Sequence, residues 1–168
     1  NRDHLASLFD RTGEELPFFF GDGVKNTDFE KFKPVVSPKP ISQEVVEMTP
    51  NLLEIPTPTL ALKDGGPYYS SSVVIAKDPD TGVRNVSVHR LMVTGERRMT
   101  MLMDVGRHLR DYYERAEKKG EPLEITINNG VDPAVYFAAI TPSSAVGIDQ
   151  DELAVAGFLR GEPVALST

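Results

Sequence analysis

Between residues 68 and 103, three strand-like stretches follow one another almost without intervening chain, the second and third with a period of two, and nothing else in the sequence restricts the fold as much. YYSSSVVIAKD leads through the turn chemistry of DPDTG into VRNVSVHRLMVTG, and Gly95 and Glu96 then turn the chain into RRMTMLM. Such short links join antiparallel neighbours. In the second stretch Val86, Val88 and Met92 alternate with Ser87, His89 and Leu91, so Arg90 shares the face of Val86, Val88 and Met92. A guanidinium is not cheaply neutralised. If that face is interior, Arg90 requires an anionic or polar partner, as in a structural ion pair, or a strand end open to water. The opposite face carries Asn85, Ser87 and His89. Polar groups on both faces are unusual for pure core and hint at a site.

From Asp104 the period changes. Val105, Leu109, Tyr112, Tyr113 and Ala116 fit one helical stripe, with Gly120 as the stop after Lys118 and Lys119. LEITINNG reads as a strand, DPAVYFAAI as a helix capped by Asp132 with Pro133 in its first turn, DQDELAVAGFLRG as a further helix and PVALS as a strand. Upstream, residues 1 to about 16 suit a short amphipathic helix through Leu5, Leu8 and Phe9. GDGVKNTDFEKFKPVVSPKPISQ reads as an extended connector, and PNLLEIPTPTLALKDGG holds too many prolines for regular structure. An antiparallel cluster followed by strands mixed with helices is the pattern of an α+β domain.

Composition narrows the function classes. With 40% hydrophobic and 26% charged residues the chain is of the soluble globular kind, and a net charge of -7 without a basic stripe argues against nucleic acid. The absence of cysteine excludes disulfides and thiolate chemistry and is compatible with a reducing, cytoplasmic setting. No apolar run is long enough to span a bilayer, and NRDHLASLFD is not a signal peptide. The first residue is not Met, which suggests a processed, trimmed or partial chain. Nucleophile-elbow, Walker, HExxH and GxGxxG patterns are all missing.

Each remaining candidate has two readings. Asn85 suits a residue flanking a turn. Arg107 and His108 open a helix, where they form either a surface basic pair or an anion-facing pair aided by the helix terminus. Glu152, in the first turn of its helix, complements the dipole whatever the protein does. An amide, an imidazole and a carboxylate can nonetheless share one divalent ion, although spacing alone does not join these three. The serine run is a strand edge or a row of hydroxyls lining a phosphate. DGG at residues 64–66 is a plain turn or a close approach to a ligand.

Taken in order, DGGPYY, DPDTGVRNVSVHRLMV, GRH, GVDPAVYFAA and ELAVAGFLRGEPV resemble the UbiD-type decarboxylases over about residues 40–168. The resemblance implies residues 1–40 as the tail of an N-terminal domain and a connector. It implies residues 41–168 as a flavin-binding split β-barrel, flavin reductase-like, with flanking helices, and a C-terminal domain outside this chain. It further implies prenylated FMN as cofactor, held by Ser70, Asn85, Ser87, Val88, His89, Arg90, Arg107, His108 and Glu152. Asn85, His108 and Glu152 would bind a divalent metal, usually manganese, that bridges to the cofactor phosphate. A potassium ion near Ser143 and Ser144 is carried over only loosely. Arg90 matches the family's catalytic arginine, within a Glu–Arg–Glu network whose carboxylates lie in polypeptide beyond this sequence. The implied reaction is reversible, non-oxidative decarboxylation of an aromatic or α,β-unsaturated acid. The implied partners are a flavin prenyltransferase that supplies the cofactor and a second copy joined through the C-terminal domain. A non-catalytic flavin- and metal-holding subunit, or a flavin reductase using ordinary FMN, are the alternatives.

Overall fold

Asp78 builds the first reversal of the chain. Its Oδ1 accepts from the backbone N–H groups of Asp80 and Thr81 at 2.8 and 3.1 Å. Gly82 takes the left-handed conformation (φ 74°), which glycine enters without steric cost. The computed structural model describes residues 1–147 and 150–167, and no helix among them is long and apolar enough to cross a membrane. The described strands are β1 (Val35–Val36), β2 (Tyr68–Lys77), β3 (Arg84–Gly95), β4 (Arg98–Met101), β5 (Ile125–Asn128) and β6 (Ala165–Leu166). The described α-helices are α1 (Arg2–Ser7), α2 (Leu16–Phe18), α3 (Val24–Asn26), α4 (His108–Lys119), α5 (Pro133–Ile140), α6 (Ser143–Val146) and α7 (Glu152–Arg160). The class is mixed helix and sheet, and the chain divides into two compact units, Ile41–Gly130 and Asn1–Pro40 with Val131–Thr168.

The first unit holds a four-stranded antiparallel sheet in the order β4-β3-β2-β5. Leu109 and Tyr112 of α4 join Val74, Ala76 and Leu91 in its core, with Met99, Met101 and Met103 packed against them. These are the alternating methionines that the sequence presents. The register of β2 on β3 slips once: Tyr69 faces Leu91 and Ser72 faces His89, so Ser70 and Ser71 together oppose Arg90. This is a β-bulge, which bends the strand and re-aims its side chains. Contrary to a fully buried strand, the Arg90 side chain is exposed. DGG forms a turn, with Ala61 donating to Asp64 Oδ2 at 2.8 Å and Gly65 and Gly66 lying against Met92.

The DPDTG turn is tied to α4 by a charge network. Arg115 donates to both Asp78 oxygens, at 3.0 and 2.6 Å, and to Asp111 at 3.0 Å. It also pairs with Asp80, which accepts from Lys119 at 2.6 Å. The Arg115 guanidinium, foremost, and the turn amides hold the Asp78 carboxyl well below the usual carboxylate range. A carboxyl depressed by folding contributes stability that is present above its unfolded pKa and lost as pH falls through the folded value. Asp78→Asn is therefore expected to cost roughly 1–2 kcal/mol at pH 7, the scale of charge-assisted bonds at a partly exposed site. In denaturant melts the gap to the parent should narrow progressively below about pH 4. A gap that stays constant down to pH 2 would contradict this assignment.

In the second unit β1 and β6 pair in parallel, Val35 with Ala165 and Val36 with Leu166. Asp132 caps α5 by accepting from Ala134 N–H at 2.8 Å, and Asp151 caps α7 through Leu153 N–H at 3.0 Å. The reading that starts this last helix at Asp149 falls at that residue outside the described ones. The segment read as an extended connector instead contains a π-helical turn (Phe19–Gly23), α3 and a 3-10 turn (Phe29–Phe32). Aromatic packing explains the difference: Phe9, Phe19, Phe20 and Phe137 meet at 4.8–6.1 Å, and Phe19, Phe29 and Phe32 surround Phe158 at 5.2–6.4 Å. Ring contacts at these distances favour local helical turns that propensity alone does not.

Candidate functional site

Strand β3 supplies most of the candidates, and its pleat sorts them. Asn85, Ser87 and His89 stand on the face that includes Leu91, opposite Ala76, Val74 and Ser72 of β2. They form a chain of hydrogen bonds: Asn85 Nδ2 donates to Ser87 Oγ at 3.0 Å, and Ser87 Oγ lies 2.9 Å from His89 Nε2. Asn85 is only 5% exposed. With its amide nitrogen committed to Ser87, its carbonyl oxygen Oδ1 is the group left to meet an electrophile. Burial, the largest influence, pushes the His89 pKa down. A hydrogen bond with the Leu102 backbone and the nearby Asp104 carboxylate oppose it without overcoming it. Burial thus favours the neutral imidazole.

Val88 and Arg90 stand on the other face. Ser70 is exposed within the bulge that opposes Arg90. Bulges re-aim side chains, and they recur beside active sites for that reason.

Arg107 is the residue before α4, extended at φ −98° and ψ 147°, and its side chain does not cap the helix. Gly106 precedes it at φ 81°. His108 opens α4 and stacks on Tyr112 with ring centroids 6.4 Å apart. The first-turn amides and the Arg107 guanidinium make an electropositive helix start in the same unit as Asn85. Glu152 opens α7 in the other unit, with its Oε2 buried. Ser144 lies in α6, and the side chain of Ser143 lies outside the described residues. Among the described residues no cluster of three or more His, Asp or Glu side chains is assembled to hold a metal ion. A donor set that includes an amide such as Asn85 is of a different kind.

Ser72, Leu102 and Asp104 escape a reading of the sequence. Ser72 is fully buried opposite His89 and bonds Asn129 Oδ1 at 2.7 Å. Its place beside His89 depends on the bulge, for which the serine run carries no signal. Leu102 and Asp104 sit in the loop before α4, where nothing in the residue types announces a contact with His89.

The model of the 3-octaprenyl-4-hydroxybenzoate carboxy-lyase (UbiD) Rift-related domain matches residues 33–168. An uncharacterized Rhodospirillum rubrum protein, encoded in the region 5′ of cooM, is 42% identical over 166 residues, 99% of this chain and 36% of that protein. Anhydromevalonate phosphate decarboxylase of Methanothermobacter thermautotrophicus is 47% identical over 113 residues, 67% of this chain and 26% of the enzyme. Among solved structures, an evolved dimeric form of the UbiD-class enzyme HmfF from Pelotomaculum thermopropionicum, in complex with prFMN, superposes with a TM-score of 0.81. It is 33% identical, and the match covers 100% of this chain and 38% of that one. The chain therefore spans well under half the length of each of these proteins.

Proposed function

This chain belongs to the UbiD family of carboxy-lyases, and from that membership we propose that it is the cofactor-binding core of a reversible, non-oxidative decarboxylase. The substrate class is an aromatic or α,β-unsaturated carboxylic acid. The observation that carries the reading is the match of the whole chain to an enzyme solved with prFMN. On this reading the sheet belongs to a split barrel of flavin reductase type, and the protein acts in the cytoplasm.

Prenylated FMN, when bound, supplies the electron sink for the carbon that loses carbon dioxide. The residues of this chain supply position and charge. Asn85 Oδ1, the His108 imidazole and the Glu152 carboxylate would hold a divalent cation, manganese by preference, against the cofactor phosphate. The donors suit such an ion: the amide oxygen of a buried residue whose nitrogen bonds Ser87, a partly buried imidazole and a carboxylate with one buried oxygen. Arg107 and the first turn of α4 add positive potential for the phosphate. Arg90 orients the substrate carboxylate by charge-assisted bonds. Potassium near Ser144, association with a second copy and supply of the cofactor by a flavin prenyltransferase complete the proposal.

The test is to co-produce the intact protein with a flavin prenyltransferase and record the absorbance spectrum and mass of its bound cofactor, then carbon dioxide release from candidate acids. A mass matching unmodified FMN together with nicotinamide-dependent flavin reduction would overturn the decarboxylase reading. Separately, Asn85→Ala, His108→Ala and Glu152→Gln are each expected to lower manganese content at least about tenfold, with loss of flavin in parallel. Metal analysis of the purified variants checks this.

A further inference from the structure

The hydrogen bonds on β3 have a direction. An amide N–H can only donate, so Asn85 Nδ2 makes Ser87 Oγ an acceptor. The hydroxyl then has one proton to give, and His89 Nε2 lies 2.9 Å away to receive it. That acceptor role requires the imidazole proton on the other nitrogen, Nδ1. The bond between His89 and the Leu102 backbone supplies a carbonyl for that proton. Each link fixes the next: the Leu102 carbonyl sets the tautomer, the tautomer sets the hydroxyl, and the hydroxyl sets which end of the Asn85 amide faces away.

We infer that Ser87 and His89 are positioning residues, forming a one-way relay from the loop before α4 that turns the Asn85 carbonyl oxygen, rather than its NH2 group, toward a bound cation. The inference rests on the proposed metal-holding role of Asn85. An amide can rotate by 180° at little cost in shape, but the rotated form presents a donor where a cation needs an oxygen. Only a directed partner separates the two. The relay also ties β3 to Leu102, in the loop that leads into Arg107 and His108.

The experiment uses the intact protein without cofactor, measuring Mn2+ affinity by calorimetry and the His89 ring nitrogens by 15N-detected NMR, with folding checked by circular dichroism. The His89 signal is assigned by its loss in His89→Gln. Wild type is expected to show the Nδ1–H tautomer. Ser87→Ala and His89→Ala are expected to weaken Mn2+ binding about 10–100-fold, the usual scale for residues behind a metal ligand. His89→Gln, whose amide oxygen can occupy the place of Nε2, is expected to restore most of the affinity. An Nε2–H tautomer in wild type reverses every bond in the relay and overturns the inference, even if the alanine variants fail to fold. Wild-type Mn2+ affinity in folded Ser87→Ala and His89→Ala also overturns it. If Asn85→Ala alone loses the metal, the metal reading survives without the relay; if Asn85→Ala binds Mn2+ normally, the metal reading itself falls.

Discussion

Arg90→Ala is expected to lower kcat/KM for decarboxylation by about 10²–10⁴-fold while the flavin stays bound. The reasons lie in the strand. Arg90 is at the bulge, where one residue of β3 faces two of β2, and its side chain is exposed rather than locked in an ion pair of the core. Removing a structural ion pair would chiefly change stability, and removing an exposed guanidinium changes stability by little. A large loss of turnover with an unchanged melting temperature thus isolates recognition of the substrate carboxylate. Arg90→Lys should recover only part of the rate, because an ammonium lacks the planar fork that grips a carboxylate at two points. Steady-state kinetics on the intact, flavin-loaded protein, beside the absorbance of the bound flavin, decides the matter. Turnover near the wild-type value in Arg90→Ala defeats the role, and loss of flavin from that variant makes Arg90 a cofactor anchor instead.

How far the sequence is legible depends on how local the deciding interaction is. The DPDTG reversal, the Asp132 cap and the Gly120 stop each rest on bonds within a few residues, and each is present. Val105 fits the helical stripe of α4, yet Gly106 at φ 81° breaks it and the helix begins at His108. The phenylalanines between residues 19 and 32 are ordered by Phe9, Phe137 and Phe158, partners whose distance along the chain hides them from any local pattern. The bulge at Ser70 and Ser71 is the hardest case. Three consecutive serines satisfy either register, so the parity that brings Ser72 opposite His89 is decided by packing on both sides of the sheet. For the site, the alternation of Asn85, Ser87 and His89 is visible in the residues. The order of donors and acceptors that gives the row its meaning is not.

Gly157→Ala is expected to destabilise the unit that contains α7, although alanine is by about 1 kcal/mol the better helix former. A methyl group at Gly157 would lie 2.7 Å from the Phe32 carbonyl oxygen, 3.1 Å from Phe32 Cβ and 3.3 Å from the Glu162 carbonyl oxygen. Two of those three atoms are backbone, so no change of side-chain rotamer relieves the contact. The 3-10 turn at Phe29–Phe32 must instead move off α7, loosening the rings around Phe158. Overpacking of this kind costs roughly 1–3 kcal/mol, and displacing an aromatic cluster falls at the upper end. The cost therefore exceeds the helical gain, and a net loss of about 1–2 kcal/mol is expected. Gly157→Val, which adds two further methyl groups and gives up the propensity advantage, should lose about 3 kcal/mol or more. Gly21 provides the control: a methyl group there meets nothing within 4 Å, so Gly21→Ala should be neutral or slightly stabilising. Thermal and urea melts of the three variants, followed by circular dichroism, make the comparison. An unchanged or raised melting temperature for Gly157→Ala would show that the approach of α7 to Phe32 does not limit the packing of this unit.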